Sequence, residues 1–217
     1  MCYYLFMKLR DDITSFLATL PKEVTLVAAS KYVDAIEIKK MYDAGITNFG
    51  ENRVNDFLVK YESLKDYPDI RWHFIGHLQR NKAKEVINKI HCLHSLDSLK
   101  LTDEIEKYRK EPLDVFVEVS INLEENKNGV PYYEVKNFIK ELLKYKKINL
   151  VGLMMMTVKV SDDKDNQFAK LYCLKQEIES ELNISIPYLS MGMSDDYLLA
   201  IKEHATHIRL GRILYKD

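Results

Sequence analysis

Two alternating periodicities constrain this chain more than any other feature. Short runs of β-branched and apolar residues recur about every twenty-five residues, and between them lie longer stretches whose apolar positions repeat at helical spacing. The first run, Val24 to Ser30, is almost continuously apolar, as a strand buried on both faces requires. A helix is expected from Asp34, with Ile36, Ile38, Met41 and Ala44 as apolar positions and Gly45 as its stop. Further strands are expected near Ile46 to Phe49, Arg71 to Ile75, Ile90 to His94, Asp114 to Ser120, Ile148 to Met154, Ile186 to Leu189 and His207 to Leu210. Helical patterns separate them near Arg53 to Leu64, Gln79 to Asn88, Ser98 to Lys110, Tyr132 to Lys144, Asp165 to Leu182 and Asp195 to Glu203.

Eight strands, each but the last followed by a helix, are the signature of parallel βα units. They predict an α/β fold, a single (β/α)8 TIM barrel, with residues 1–217 as one domain near the lower end of the length that fold uses. The chain stops too soon after the eighth strand for a full eighth helix. An extra N-terminal helix from Tyr3 to Leu20, closed by Pro21, is the spare element expected to cover that gap. An open doubly wound sheet is the alternative. The polar stretch Glu124 to Gly129 reads as a solvated loop.

A composition of 47% hydrophobic residues supplies a core and excludes disorder. Lys and Arg number 32 against 33 Asp and Glu, so no global positive field exists to hold nucleic acid or an anionic membrane. Any bound anion must be captured by local geometry. Cys2, Cys92 and Cys173 lie far apart and form no C-x-x-C pair, which fits a reducing cytoplasm. The apolar run Tyr3 to Met7 is too short for a signal sequence or a membrane span.

Ligands of a βα barrel bind at the carboxyl ends of its strands. In order, those ends deliver Ser30 and Lys31, Asn48 to Asn52, His73 to Gly76, His94 and Ser95, Ser120 and Asn122, Met154 to Thr157, Ser190 to Ser194, and Arg209 to Arg212. One convergent pocket explains this better than eight unrelated turns. A lysine directly after a buried strand, Lys31, should be partly desolvated, which favours the neutral amine that forms Schiff bases with aldehydes. The alternative is a lysine snorkelling into solvent. Leu189-Ser190-Met191-Gly192-Met193-Ser194, with Ser194 read as a helix cap, offers an anion cradle. Ile208-Arg209-Leu210-Gly211-Arg212 sets a second glycine turn beside it, where barrels commonly bind phosphate. The pairs His73 and His77, His91 and His94, and His204 and His207 lack ligand geometry, so no metal is expected. Met154, Met155 and Met156 are expected to fill the barrel mouth.

These motifs together resemble the pyridoxal phosphate homeostasis proteins, single-domain relatives of the alanine racemase N-terminal barrel. The match runs through Ala29-Ser30-Lys31, Asn48-Phe49-Gly50-Glu51-Asn52, Trp72 to Lys82, Gly152-Leu153-Met154, the Leu189 to Asp195 run and Arg209-Leu210-Gly211. The resemblance implies that Lys31 holds pyridoxal 5'-phosphate as a Schiff base. Ser194 and the amides around Gly211 and Arg212 would then hold the phosphate, and Arg209 would face the pyridine nitrogen. Asn52, His73, Met191 and Gly192 would line the pocket. The chain departs from the family in Tyr32-Val33-Asp34 and in the Met156 to Asp163 loop, both at the rim. A non-catalytic, monomeric, cytoplasmic carrier or buffer of the cofactor is expected, with pyridoxal phosphate-dependent apoenzymes as recipients. The alternatives are an amino-acid racemase and an aldolase using Lys31 on a sugar phosphate.

Overall fold

A computed structural model describes residues 8–121, 128–157 and 167–215. Its strands are β1 (Thr25–Ala29), β2 (Asn48–Glu51), β3 (Arg71–Phe74), β4 (Cys92–Leu96), β5 (Leu113–Ser120), β6 (Val130–Pro131), β7 (Ile148–Met154), β8 (Tyr188–Ser190) and β9 (His207–Leu210). Its helices are α1 (Ile13–Ala18), α2 (Ala35–Asp43), α3 (Val54–Ser63), α4 (Ala83–Val86), α5 (Leu99–Tyr108), α6 (Val135–Leu142), α7 (Gln167–Leu182) and α8 (Tyr197–Lys202). The strands run in the order β4-β3-β2-β1-β9-β8-β7-β5, and β4 pairs with β5, so an eight-stranded parallel sheet closes on itself. The two-residue β6 is appended to the end of β5 and takes no place in the ring.

Local chemistry sets most boundaries. The Asp34 carboxylate accepts the Glu37 amide at 3.0 Å and starts α2. Gly45, at φ +99°, ends it. The Ile46 amide turns back to the Met41 carbonyl at 3.0 Å, which is why β2 begins at Asn48 and not at Ile46. Pro187 carries no amide proton for a ladder, so β8 starts one residue later, at Tyr188.

The expected N-terminal helix is shortened. Within the described part of Tyr3 to Leu20 only Ile13–Ala18 is helical, because Leu9 pairs antiparallel with Tyr215 and the Arg10 amide bonds the Leu214 carbonyl at 3.1 Å. The edge of the Phe16 ring meets Tyr197 of α8 with ring centres 6.3 Å apart. The strap therefore pairs with the segment after β9, where a regular barrel carries its eighth helix, while α1 packs on α8. Asn122, most of the Glu124 to Gly129 loop and most of the Met156 to Asp163 loop lie outside the described residues.

The pleat divides each strand between two environments. Outward residues join the helices in the main core, where Phe57 of α3 contacts Trp72 at 5.6 Å and Phe74 at 6.5 Å. Each fully buried ring contributes on the order of 2–3 kcal/mol. Inward, Cys92, Phe116 and Met154 form a separate small apolar cluster. Met155 joins the main core and Met156 is exposed, so only Met154 of the three methionines fills the barrel. Among the described residues no helix is long and apolar enough to cross a membrane.

Candidate functional site

Lys31 lies two residues beyond the end of β1 and is half-buried, its Nζ 4.9 Å from the centre of the Tyr32 ring. Its neighbour Ser30 is anchored by groups the sequence reading did not single out. The Ser30 hydroxyl donates to Glu51 Oε1 at 2.6 Å, and Lys60 Nζ of α3 donates to both Glu51 Oε1 and the Ser30 carbonyl at 2.7 Å. All three are buried. Burial pushes the Glu51 carboxyl upward, opposed by the Lys60 charge and by the hydrogen bonds from Lys60 and Ser30. This cluster sits behind the barrel wall and fixes the peptide from which Lys31 projects.

Beside that strand, the inward position of Gly211 is open. A Cβ placed there would meet only Ala29, at 3.7 Å and beyond. The Ser194 hydroxyl accepts the Gly211 amide at 3.3 Å and the Ile213 amide at 3.4 Å, so the loops after β8 and β9 converge on one oxygen. The expectation that Ser194 caps a helix is corrected: α8 begins at Tyr197 with Asp196 before it, and the Asp196 carboxylate takes the Met193 amide at 2.6 Å. The cradle therefore rests on loop amides. The Arg212 guanidinium pairs at 2.5 Å with Asp195 in solvent. A cleft of about 700 Å³ adjoins these loops, lined by Ser194, Asp195, Arg212 and the Arg10–Asp12 pair.

Gly192 stands at φ +94°, and a Cβ there would meet the Ala200 Cβ at 2.6 Å, so both backbone and space demand glycine. Met191 packs outward in the helix–sheet core, so its side chain does not line the barrel interior. Asn52 does reach the mouth, and its Oδ1 is buried without a hydrogen-bond partner.

Below the mouth, Arg209 is 5% exposed. It donates through Nη1 to the Ser190 hydroxyl at 2.7 Å and through Nη2 to the Met155 carbonyl at 2.8 Å. Ser190 meets His94 Nδ1 at 2.8 Å, His94 Nε2 meets His73 Nδ1 at 2.9 Å, and His73 Nε2 meets Asn48 Oδ1 at 3.0 Å. Burial lowers Arg209 to about 10 and His73 to about 3, and places His94 well below its ordinary value. Arg209 is thus charged and both histidines neutral at pH 7. With both nitrogens occupied, His73 offers a ligand only its ring.

Glu118 was absent from the sequence reading. It shares the inward face of β5 with Phe116, is 6% exposed, and burial first, then Asp97, raises it to about 7. The trio His73, Cys92 and His94 has ligand atoms within 4.8 Å of one another. Pairing histidines by chain spacing missed that trio, because it comes from neighbouring strands. Its two histidine nitrogens are occupied with each other.

Comparison with known proteins follows this geometry. The family model of the alanine racemase N-terminal domain matches residues 8–217. The pyridoxal phosphate homeostasis protein of Aquifex aeolicus (strain VF5) is 41% identical over 88% of this chain and 86% of its own length. That of Synechocystis sp. (strain PCC 6803) is 38% identical over 94% and 96%. PipY of Synechococcus elongatus PCC7942, solved with PLP bound, superposes with a TM-score of 0.86 at 29% identity, covering 94% of this chain and all of its own. An alanine racemase of Clostridium difficile 630 shares the fold at 16% identity, with a TM-score of 0.75 over 58% of its length. A closed parallel barrel with a lysine after its first strand, together with relatives matched along almost their whole length, places this chain in the pyridoxal phosphate homeostasis protein family, within the alanine racemase N-terminal fold.

Proposed function

We propose that this chain, as one domain over residues 1–217, binds pyridoxal 5'-phosphate at the barrel mouth and carries or buffers it. The observation that carries this reading is the placement of an aldehyde-reactive amine and an anion cradle on adjoining strands. Lys31 follows β1, and the Ser194 hydroxyl with the Gly211 and Ile213 amides sits beside Ala29. The unpartnered Asn52 Oδ1 and the open position at Gly211 fit an additional polar group. Lys31 would hold the aldehyde carbon covalently, the cradle the phosphate, and Arg209 the ring nitrogen. When bound, the cofactor supplies an aldehyde for amines and a ring that draws electrons.

Arg209 supports carriage over catalysis. A guanidinium only donates, so it keeps a facing ring nitrogen unprotonated and the ring a weak electron sink. Apoenzymes are the recipients, the protein acts as a monomer, and a reducing cytoplasm is its place.

The test is an absorbance spectrum of the purified protein before and after pyridoxal phosphate, followed by borohydride reduction and peptide mapping. Label on Lys31, and its loss in a folded Lys31→Ala protein, is the expected result. Label on another lysine would remove the assignment. Exchange of the α-proton of L-alanine in deuterated water well above that with free pyridoxal phosphate would replace carriage by catalysis.

A further inference from the structure

Resting on that reading, we propose that Glu118 receives the ammonium group of an incoming primary amine and takes its proton, so that the amine displaces Lys31 from the cofactor. Going round the barrel from β1, β5 is the fourth strand in either direction, so Glu118 stands diametrically across the mouth from Lys31. Its side chain faces inward beside Phe116, whose ring lies 4.5 Å from His94 inside the barrel. Among the described residues the Glu118 carboxylate has no hydrogen-bond or ion-pair partner, and the residue is 6% exposed, its oxygens still reached by solvent.

A largely buried carboxylate with no protein partner favours its protonated form or a donor brought by a ligand. None of the described residues around it supplies such a donor. Arg209, the nearby cation, donates to Ser190 and Met155 and makes no hydrogen bond to Glu118. Asp97 repels it, and His77 is bonded to Asp97 at 3.1 Å. A ligand that carries hydrogen-bond donors supplies the partner that the described residues do not, and an ammonium is such a ligand.

The chemistry of hand-over requires such a group. A lysine-like amine has an ordinary pKa of about 10.4 and arrives protonated, without the lone pair it needs. Glu118 accepts one proton and frees that pair. The amine nitrogen bonds to the carbon held by Lys31, its two remaining protons pass to the Lys31 nitrogen as the carbon–Lys31 bond breaks, and the proton held by Glu118 follows, so that Lys31 departs as an ammonium. One amine replaces another, and no oxidant or reductant enters.

The experiment uses cofactor-loaded wild-type protein, Glu118→Gln and Glu118→Asp, with Nα-acetyl-lysine amide as the probe amine. Release of cofactor from Lys31 is followed by absorbance across pH. Infrared spectra of the cofactor-free proteins report the protonated carboxyl. Wild-type release should rise through a midpoint near pH 7. The Gln variant should be slower by roughly a hundredfold, with its midpoint moved toward that of the amine, and the Asp variant should fall between. The carboxyl band should vanish in Glu118→Gln and weaken when the probe amine is added to wild type. Equal rates and midpoints in proteins that all load on Lys31 overturn the role of Glu118 alone. Failure of every protein to load on Lys31 overturns the cofactor reading and this proposal with it.

Discussion

The Arg209 guanidinium donates to the Ser190 hydroxyl at 2.7 Å, and this contact begins a hydrogen-bond chain across the barrel interior. Arginine has no acceptor, so Ser190 accepts from it, and at the other end Asn48 Oδ1 only accepts, so the protons run from Ser190 through His94 and His73 to Asn48. His94 then carries its proton on Nε2 and donates to His73 Nδ1, and His73 donates from Nε2 to Asn48 Oδ1. The cation at one end and the amide oxygen at the other together select both tautomers.

Long-range proton–nitrogen NMR should therefore show His73 and His94 as neutral Nε2–H tautomers at pH 7. Both values lie below the ordinary histidine value of 6.5, so the unfolded chain binds more protons as the solution is acidified. Their contribution is complete above about pH 6.5 and is lost as the solution is acidified below it, for His73 as pH falls toward 3. Ser190→Ala leaves Arg209 Nη1 and His94 Nδ1 without their partner and should reduce stability by about 1–3 kcal/mol in urea titration.

Lys60→Met strands the Glu51 carboxylate in the core and should cost about 3–5 kcal/mol. Combining it with Glu51→Leu should recover most of that loss, because the uncompensated charge disappears. A double-mutant cycle from denaturant titrations measures the coupling, and simple additivity of the two changes would refute it.

Ser194→Ala removes the oxygen on which the Gly211 and Ile213 amides converge. A hydrogen bond to a charged acceptor contributes ~1.5–3 kcal/mol, so pyridoxal phosphate should bind about ten- to a hundredfold more weakly. Pyridoxal, lacking the phosphate, should bind far worse than pyridoxal phosphate to the wild type and lose little further affinity in the variant. Equal affinity of the wild type for the two compounds would place the phosphate elsewhere.

Glu118 lies at about 7 in the folded protein against an ordinary 4.5, so between these values the folded state holds the extra proton. Its contribution favours folding most below pH 4.5 and declines as pH rises to 7. Glu118→Gln should remove that decline and make the protein more stable than wild type above pH 7, by up to about 3 kcal/mol. Melting curves of the two proteins from pH 4 to 8 provide the comparison.

The strands, their order along the chain, Lys31 after the first of them and the paired glycine turns at Gly192 and Gly211 were legible in the sequence alone. They follow from local rules: apolar periodicity, helix stops, and the backbone freedom of glycine. The interior chemistry was not legible. His94 and Ser190 are 96 residues apart, and Glu51 meets Lys60 only because α3 packs behind β2. Whether Glu118 or Val117 faces the interior depends on the pleat and register of β5 in the closed barrel, where a shift of one residue exchanges the two faces. Barrel closure brings β4 against β5 and sets β1 opposite β5, so it decides which buried charges meet, which find no partner, and hence which can act on a ligand.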